Sequence, residues 1–355
     1  MDRIKVGIVG LGRIADMHVP GYRNRPDAVI AALCDADKEN LQRRSREWNV
    51  EKIYENYEDM LADDDINLIE ILTPHHCHCD MVCSAAQARK HVSVQKPMAV
   101  NADECEKMIQ ACFHAGVQLR VFENFVFYPP FVLAKKLIED GEIGEVLTVR
   151  FKLGALTGGW HVPLSSWIWR LDKKKCGPGP TVFDDGYHKF SMAVDLFGPI
   201  DKVKAWVDYS LGAIDSPAMV SFNFKDSPVL GYFETSFTPG ARIRSKYYGA
   251  DERVEICGTH GTIDINRFTG KLFDTPPLVV HSGGQTKCYE DLRCDWLDSF
   301  VDSTHHFLDA LTSYRAPKLS GQTAKHVLQA AMAAYVSSQE NRCVSPDGVT
   351  GRELE

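Results

Sequence analysis

The stretch Lys5-Val6-Gly7-Ile8-Val9-Gly10-Leu11-Gly12-Arg13-Ile14-Ala15 carries a short apolar run directly into a Gly-x-Gly-x-x-Ala turn, and Asp35 follows 20 residues after Ala15. Gly10 permits the tight turn, Gly12 lets backbone approach a pyrophosphate, and small Ala15 lets a new helix pack on the strand with its first amides facing the phosphates. A glycine triplet alone is a weak signal. Here its context is the required one: Val6, Ile8 and Val9 read as a buried strand, residues 15–22 as a helix, and residues 29–35 as a second strand ending on the acid. The turn through Gly10, Gly12, Arg13 and Ile14 is therefore expected to hold a dinucleotide, against the plainer alternative of a turn that is merely glycine-rich.

Asp35 bears on which dinucleotide. A carboxylate there accepts from the ribose 2′-hydroxyl and repels a 2′-phosphate. The next residues are Ala36, Asp37 and Lys38, with no arginine to hold a phosphate, so NAD is favoured. An Asp35 that only caps the following helix is the other reading.

With 355 residues the chain has material for two domains. Its 44% hydrophobic and 25% charged content is that of a globular enzyme. No apolar run is long enough to cross a bilayer, and residue 1 leads straight into the first strand, so no signal peptide and no membrane partner are expected. Eleven cysteines without a framework spacing suggest reduced thiols and a cytoplasmic setting. A net charge of −8 gives no basic footprint for nucleic acid. The short basic runs Arg43-Arg44 with Arg46, and Lys173-Lys174-Lys175, read as solvated faces or loops.

Strands and helices alternate through the first third: strand 68–72 closed by Thr73-Pro74, helix 80–89, strand 91–94 closed by Lys96-Pro97, helix 103–115, strand 118–122. That pattern predicts a doubly wound, largely parallel sheet with ligands at the carboxyl ends of its strands. Near Phe125 it changes. After a helix over 131–139, period-two runs at 146–153, 202–209, 219–224, 231–237, 253–257 and 262–265 imply a mainly antiparallel sheet with one face covered. A helix over 185–197 interrupts them, and helices over 295–311 and 322–339 end the chain. The fold class is α/β: an N-terminal Rossmann domain over 1–124 and a C-terminal α+β domain over 125–355 with a large open sheet.

Gln95-Lys96-Pro97 stands at a strand's C-terminal end, where a lysine can bridge the nicotinamide ribose and a substrate hydroxyl; a solvated strand-end lysine is the alternative. A cis bond before Pro97 would fix the angle at which Lys96 enters. In the second half a Gly/Pro loop, Gly177 to Pro180, feeds Thr181-Val182-Phe183-Asp184-Asp185-Gly186-Tyr187-His188. Asp184 and His188, four apart, reach one helix face, and a carboxylate beside an imidazole orients it and tunes it toward the base an alcohol needs. Read alone, Asp184 or Asp185 is a helix cap and His188 an ordinary helical residue.

Taken together these residues resemble the Gfo/Idh/MocA family, named for glucose–fructose oxidoreductase, inositol dehydrogenase and a rhizopine-catabolism protein. The likeness spans nearly the whole chain: Gly10-x-Gly12-x-x-Ala15, Thr73-Pro74 with His78, Lys96-Pro97, Gly141-Glu142-Ile143-Gly144, and Asp184-x-Gly186-x-His188. The resemblance implies that Lys96, Asp184 and His188 form the catalytic set. Thr73, Pro74, His76, His78, Gln95, Lys96 and Asn124 are expected at the NAD site, with His76 or His78 touching cofactor or substrate, and a homo-oligomer through the C-terminal sheet is expected. Two positions depart from the family pattern: its Glu-Lys-Pro is here Gln95-Lys96-Pro97, and its aspartate three residues after the histidine is here Ser191.

His75-His76-Cys77-His78-Cys79 invites a metal reading, but sequence neighbours seldom converge on one ion and no second ligand pair stands at zinc spacing, so no metal is expected. His305-His306 reads as helix surface and core. Gly158-Gly159-Trp160-His161 and Trp167-Ile168-Trp169-Arg170 precede the His188 helix; indoles stack on sugar faces, and Arg170 or His161 can hold hydroxyls, with a packed core loop as the equal alternative. Asn124, Phe125 and Tyr128 at the domain junction are further candidates for the crevice. The chain is therefore expected to be an NAD-dependent oxidoreductase taking hydride from a secondary ring hydroxyl of a sugar or glycoside, C3 being the favoured carbon, with Lys96, Tyr128, Trp160, His161, Trp169, Arg170, Asp184 and His188 at the substrate. The alternatives are an inositol or polyol dehydrogenase, an NAD-dependent glycosidase working by transient oxidation and elimination, and a cofactor-binding regulator without catalysis.

Overall fold

A computed structural model describes residues 3–161 and 163–354. Their contacts cluster into two units: Met1–Asn124 with Phe300–Lys325, and Phe125–Ser299 with His326–Glu355. Division at residue 124 alone assigns 300–325 to the second unit. The structure gives them to the first because Phe307, Leu308 and Leu311 are buried in the same apolar cluster as Val6, Ile8, Leu33 and Leu68.

The first unit is a six-stranded sheet in the order β3-β2-β1-β4-β5-β6, formed by β1 (Ile4–Val9), β2 (Ala28–Cys34), β3 (Ile53–Tyr54), β4 (Leu68–Ile71), β5 (His91–Gln95) and β6 (Leu119–Phe122). All neighbouring pairs are parallel, with Val6 opposite Ile30 on one side and Leu68 on the other. The strands reverse order about β1 and β4, which puts the ends of those two strands at a topological switch point. Between them run α1 (Ala15–Arg23), α2 (Lys38–Trp48), α3 (Tyr57–Leu61), α4 (His78–Gln87) and α5 (Ala102–Ala115). Helix α2 starts where Asp37 accepts from the amides of Glu39 and Asn40. Its basic run is not all solvated. Arg43 is exposed and pairs with Glu47, but Arg44 is buried, clamps Asp16 of α1 at 2.6 and 3.0 Å and lies 4.7 Å over the Trp48 ring.

The second unit is an eight-stranded sheet. It joins β7 (Val146–Gly159), β8 (Ile200–Val207), β9 (Ala218–Phe224), β10 (Leu230–Arg242), β12 (Tyr248–Gly258), β13 (Gly261–Ile265), β15 (Leu278–Ser282) and β16 (Gln285–Tyr289), while β11 (Arg244–Ser245) and β14 (Gly270–Lys271) form a separate two-stranded ribbon. The order β16-β15-β13-β12-β7-β10-β9-β8 is antiparallel except where β7 meets β10. Strands β15 and β16 are not among those expected from sequence; Gln285-Thr286-Lys287-Cys288 of β16 is exposed throughout and shows no apolar alternation, and the left-handed Gly283-Gly284 pair closes the hairpin.

After α6 (Pro129–Glu139) come the short helices α7 (Leu164–Trp167) and α8 (Lys173–Cys176), then α9 (Gly186–Phe197). Helix α9 packs on one face of the sheet, where Phe190 meets Phe222 and Phe233 at ring distances of 5.9 and 6.0 Å. The chain ends on α10 (Trp296–Thr312) and α11 (Gly321–Glu340). No helix among the described residues is long and apolar enough to cross a membrane.

Candidate active site

In the first unit the glycine turn is built as its sequence implies. Gly10 has φ +84°, and a β-carbon there would sit 2.9 Å from the Leu72 carbonyl carbon and oxygen, so only glycine lets β1 turn against the end of β4. Around Gly12 the opposite holds: a β-carbon would meet no protein atom within 4 Å. The turn is pinned from behind. The Leu11 amide donates to Asp35 Oδ2 at 2.8 Å, and the Leu11 carbonyl accepts from Asn40 Nδ2 at 3.1 Å and Arg44 Nε at 3.3 Å. Asp35 Oδ1 accepts from the Asp37 amide, so the carboxylate anchors the turn and keeps acceptor capacity for ribose hydroxyls. Helix α1 begins with no side-chain cap at Ile14, and Asp16, the acid in its first turn, is paired with Arg44. An open cradle over Gly12, an uncapped helix start and a carboxylate at the end of β2 together fit a dinucleotide. Of the cations that follow Asp35 in sequence, Lys38 pairs with Glu55 at 2.7 Å and Arg44 with Asp16, which suits a 2′-hydroxyl rather than a 2′-phosphate. Arg13, half-exposed, lies 3.6 Å from Asp16.

After β4, Thr73 and Pro74 are partly exposed and His76 is exposed, while His75 and His78 are buried. His78 is a correction to the sequence reading. It is fully buried, with Nε2 2.9 Å from the Thr73 carbonyl and Nδ1 3.0 Å from that of Pro97, so its nitrogens tie the ends of β4 and β5 together instead of facing a cofactor. Lys96, half-buried, follows β5, and the Lys96-Pro97 bond is cis. Asn124 is buried at the end of this unit.

Behind Lys96 lies a polar cluster without a sequence signature. Glu70 points inward from β4 and is fully buried; it accepts from the Tyr22 hydroxyl, lies 3.4 Å from Arg120 Nη2 and 3.0 Å from His18 Nδ1. His18 Nε2 is 3.1 Å from Gln95 Nε2, and Gln95 Oε1 accepts from the Lys96 amide at 2.8 Å. Alternation within a parallel strand hides such a residue, since every neighbour of Glu70 is as buried as it is.

In the second unit His188 projects from the first turn of α9. It is 8% exposed, and its ring stacks on Phe125 at 4.1 Å and 22°. The next residue, Lys189, is buried and pairs with Glu252 of β12; its ammonium also lies 4.4 Å over the Phe125 ring and 5.5 Å over that of Phe268. Burial would lift the Glu252 carboxyl, but the Lys189 ammonium outweighs it and, with the Thr269 hydroxyl at 2.8 Å, holds Glu252 below the usual carboxylate range. Lys189, Glu252 and Thr269 escaped the sequence reading because no local spacing links 189 to 252.

Asp184 is also buried, and accepts from Arg170 Nε at 2.9 Å. Burial opposes the guanidinium's charge, yet Asp184 more than offsets it and raises the Arg170 pKa. Arg170 lies 4.4 Å over the Trp169 ring, so Trp169, Arg170 and Asp184 form one stack leading to α9. Asp184 belongs to a π-helical turn, Pro180–Asp185, a geometry that recurs at functional sites. That turn is capped by Asp215, buried, whose two carboxylate oxygens accept from the Thr181 and Val182 amides at 2.8 and 2.7 Å and from the Tyr335 hydroxyl. Asp185 makes no side-chain cap at the start of α9, so the helix-cap alternative does not describe it.

Two expected substrate contacts are placed differently. Tyr128 is in the core: it is fully buried, its hydroxyl donates to the Cys294 carbonyl at 3.1 Å, and its ring stacks on Phe268 at 4.7 Å. Trp160 stands in an aromatic cluster with Tyr247, Tyr248 and Trp296 at 5.4, 5.2 and 6.0 Å. His161 is exposed and Trp169 half-buried.

The first unit thus carries the pinned glycine turn, an acid after β2 and a lysine after β5; the second presents an imidazole beside the Arg170–Asp184 and Lys189–Glu252 ion pairs. This is a dinucleotide-dependent oxidoreductase. Residues 4–123 match the oxidoreductase family described as having an NAD-binding Rossmann fold, and residues 131–264 match the Gfo/Idh/MocA C-terminal domain. The chain belongs to that family. It is 26% identical to a myo-inositol 2-dehydrogenase of Thermotoga maritima over 98% of this chain and 100% of that one, and 30% identical to an uncharacterized oxidoreductase, YrbE, of Bacillus subtilis over 94% of each. Its fold matches a levoglucosan dehydrogenase crystallised with NADH and levoglucosan at a TM-score of 0.83, with 23% identity over 98% of this chain and 100% of that one.

Proposed function

We propose that the protein is an NAD-dependent dehydrogenase that oxidises a secondary ring hydroxyl of a sugar or glycoside, with C3 the favoured carbon. The observation that carries this reading is His188 held flat on Phe125 at the start of a helix flanked by two ion pairs, the part-buried Arg170–Asp184 and the buried Lys189–Glu252. In this reading His188 accepts the hydroxyl proton, and Lys96 donates to the same oxygen and orients it. Arg170, anchored through Nε on Asp184, keeps its outer N–H groups for neighbouring hydroxyls, and Trp169 backs it. NAD, when bound, supplies the hydride acceptor, and the chain supplies placement and electrostatics.

The packing of Trp160 among other aromatics weakens the argument for an aglycone and favours small cyclic polyols as the second reading, to which the full-length likeness to an inositol dehydrogenase also points. An assay separates them: the pure protein with NAD and a panel of inositols, aldoses and alkyl glucosides, followed by reduced-nicotinamide absorbance and the mass loss of two hydrogens. Turnover of a glucoside with kcat/KM at least comparable to that of glucose or myo-inositol supports the glycoside reading; inert glycosides with active inositols replace it.

We place the homo-oligomer contact on the open face of the large sheet, where Trp206 of β8 and Met219 of β9 sit side by side, 60% and 55% exposed. Trp206→Glu is expected to lower the mass measured by light scattering; an unchanged mass removes this face.

A further inference from the structure

We infer that Gln95 is a positioning residue that holds buried His18 in its neutral Nδ1–H form and thereby fixes the backbone at Lys96 independently of pH. The inference rests on the role given to Lys96 above, but its first test does not.

Gln95 Oε1 faces the Lys96 amide at 2.8 Å, and only the oxygen of a carboxamide can accept there. The NH₂ group is therefore the end that faces His18 Nε2 at 3.1 Å, and an NH₂ can only donate. His18 Nε2 must then carry its lone pair. On the other side of the ring, Nδ1 lies 3.0 Å from Glu70 Oε1 without hydrogen-bond alignment, and a bare nitrogen lone pair that close to a carboxylate oxygen is repelled, so the ring proton is favoured on Nδ1. One tautomer satisfies both contacts. A second proton on Nε2 would set N–H against N–H.

The groups facing His18 agree. Phe122 lies 4.1 Å and Phe300 5.2 Å from its ring centroid, and the ring is fully buried. Glu70 of β4 is the anion; Arg120 of β6 is its cation, with its guanidinium also donating to Ser93 at 2.8 Å and to the Ser303 carbonyl, and Tyr22 of α1 donates to the same carboxylate. The cluster balances without a charge on His18. Burial accordingly moves the ring pKa below its ordinary value, against the pull of Glu70.

A glutamate in place of Gln95 could still accept from the Lys96 amide, but its other oxygen would face the His18 lone pair and be satisfied only by a second proton on the ring. Lys96 would then hold its place only while His18 is charged. Gln95 removes that dependence.

The test reads His18 directly in the cofactor-free protein. With ring-labelled histidine, and His18→Asn to assign the signal, the unaltered protein is expected to show a His18 resonance of the neutral Nδ1–H form that does not move between pH 5.5 and 8.5. In Gln95→Glu the same resonance should shift to the charged form at neutral pH and titrate upward of it. The kcat/KM profile of that variant should gain a falling limb above neutral pH, about tenfold over two pH units, that the unaltered enzyme lacks. A His18 that titrates near its ordinary value in the unaltered protein overturns the inference, and needs no variant to fold. A folded Gln95→Glu in which His18 stays neutral overturns it as well. A shifted resonance with no new limb in the profile leaves the proton assignment standing and removes Lys96 from the step.

Discussion

Gly10 and Gly12 look equivalent in the motif, yet the structure separates what each is for, and alanine at each gives opposite results. At Gly12 a methyl meets no protein atom within 4 Å and the backbone is not left-handed. Gly12→Ala should leave the melting temperature within about 2 °C of the unaltered protein, the shift that a few tenths of a kcal/mol produces in a chain of this size. The same methyl occupies the cradle where a pyrophosphate would meet the turn, so NADH affinity should fall tenfold or more, about 1.4 kcal/mol at the least. At Gly10 the φ of +84° costs an alanine about 1–2 kcal/mol. The β-carbon would also press on the Leu72 carbonyl at 2.9 Å, an overpacking worth a further 1–3 kcal/mol. Gly10→Ala should therefore unfold at clearly lower temperature. Circular dichroism on heating and titration of NADH fluorescence measure the two quantities separately. A Gly12→Ala protein that melts normally and binds NADH as tightly as before would refute the placement of the cofactor over this turn.

Other outcomes follow from the same geometry. Asp35→Ser should narrow the preference for NAD over NADP in kcat/KM, and equal efficiency with both in the unaltered enzyme overturns the role of that carboxylate. Lys96→Ala and His188→Ala should each lose roughly 10²–10⁴-fold in turnover with NADH binding largely intact, as expected for lost acid–base help; near-normal turnover removes that residue from the mechanism. Glu252→Gln strands a buried ammonium and should cost about 3–5 kcal/mol at neutral pH by urea unfolding, with most of the loss recovered in Lys189→Met/Glu252→Gln. Because the folded pKa of Glu252 is depressed, its stabilisation is present above the unfolded value of about 4.3 and vanishes as pH falls through the folded value, so the gap between Glu252→Gln and the unaltered protein should close in acid. A gap that stays constant to pH 2 assigns the loss to packing.

Much of this architecture is legible in local pattern. The strand–glycine turn–helix unit and the 29–35 strand are written in contiguous residues, and the structure sets α1 at Ala15–Arg23 and β2 at Ala28–Cys34. Helices 103–115 and 185–197 differ from the structure's by one residue at the start. What the sequence hides is of two kinds. Polar residues such as Glu70 and Asp215 become important only when the fold brings partners from 50 or 120 positions away, as Arg120 and Tyr335 show. Residues of promising type, such as Tyr128 and His78, turn out to have spent their polar atoms on backbone carbonyls. Periodicity reports which face is buried; it does not report which buried groups find each other.

The reassigned residues share a purpose. Asp35, Asn40 and Arg44 hold one peptide unit, Leu11, by both of its polar groups. His78 and Gln95 fix the strand ends on either side of Lys96, and Asp215 caps the turn that carries Asp184. Each side chain proposed to act is thus held through buried polar contacts to neighbouring backbone or side chains, the kind of support that keeps a site in a fixed geometry. The supports described for Lys96 all lie within the first unit, and those described for His188 and Asp184 within the second. Loss of His188 should therefore leave the nucleotide half ordered and NADH bound, whereas loss of His78 should loosen Lys96 and the cofactor turn's neighbour Thr73 together, raising KM for NAD and lowering kcat in the same variant. A His78→Ala protein that lowers kcat while binding NADH normally would break that link between the two strand ends.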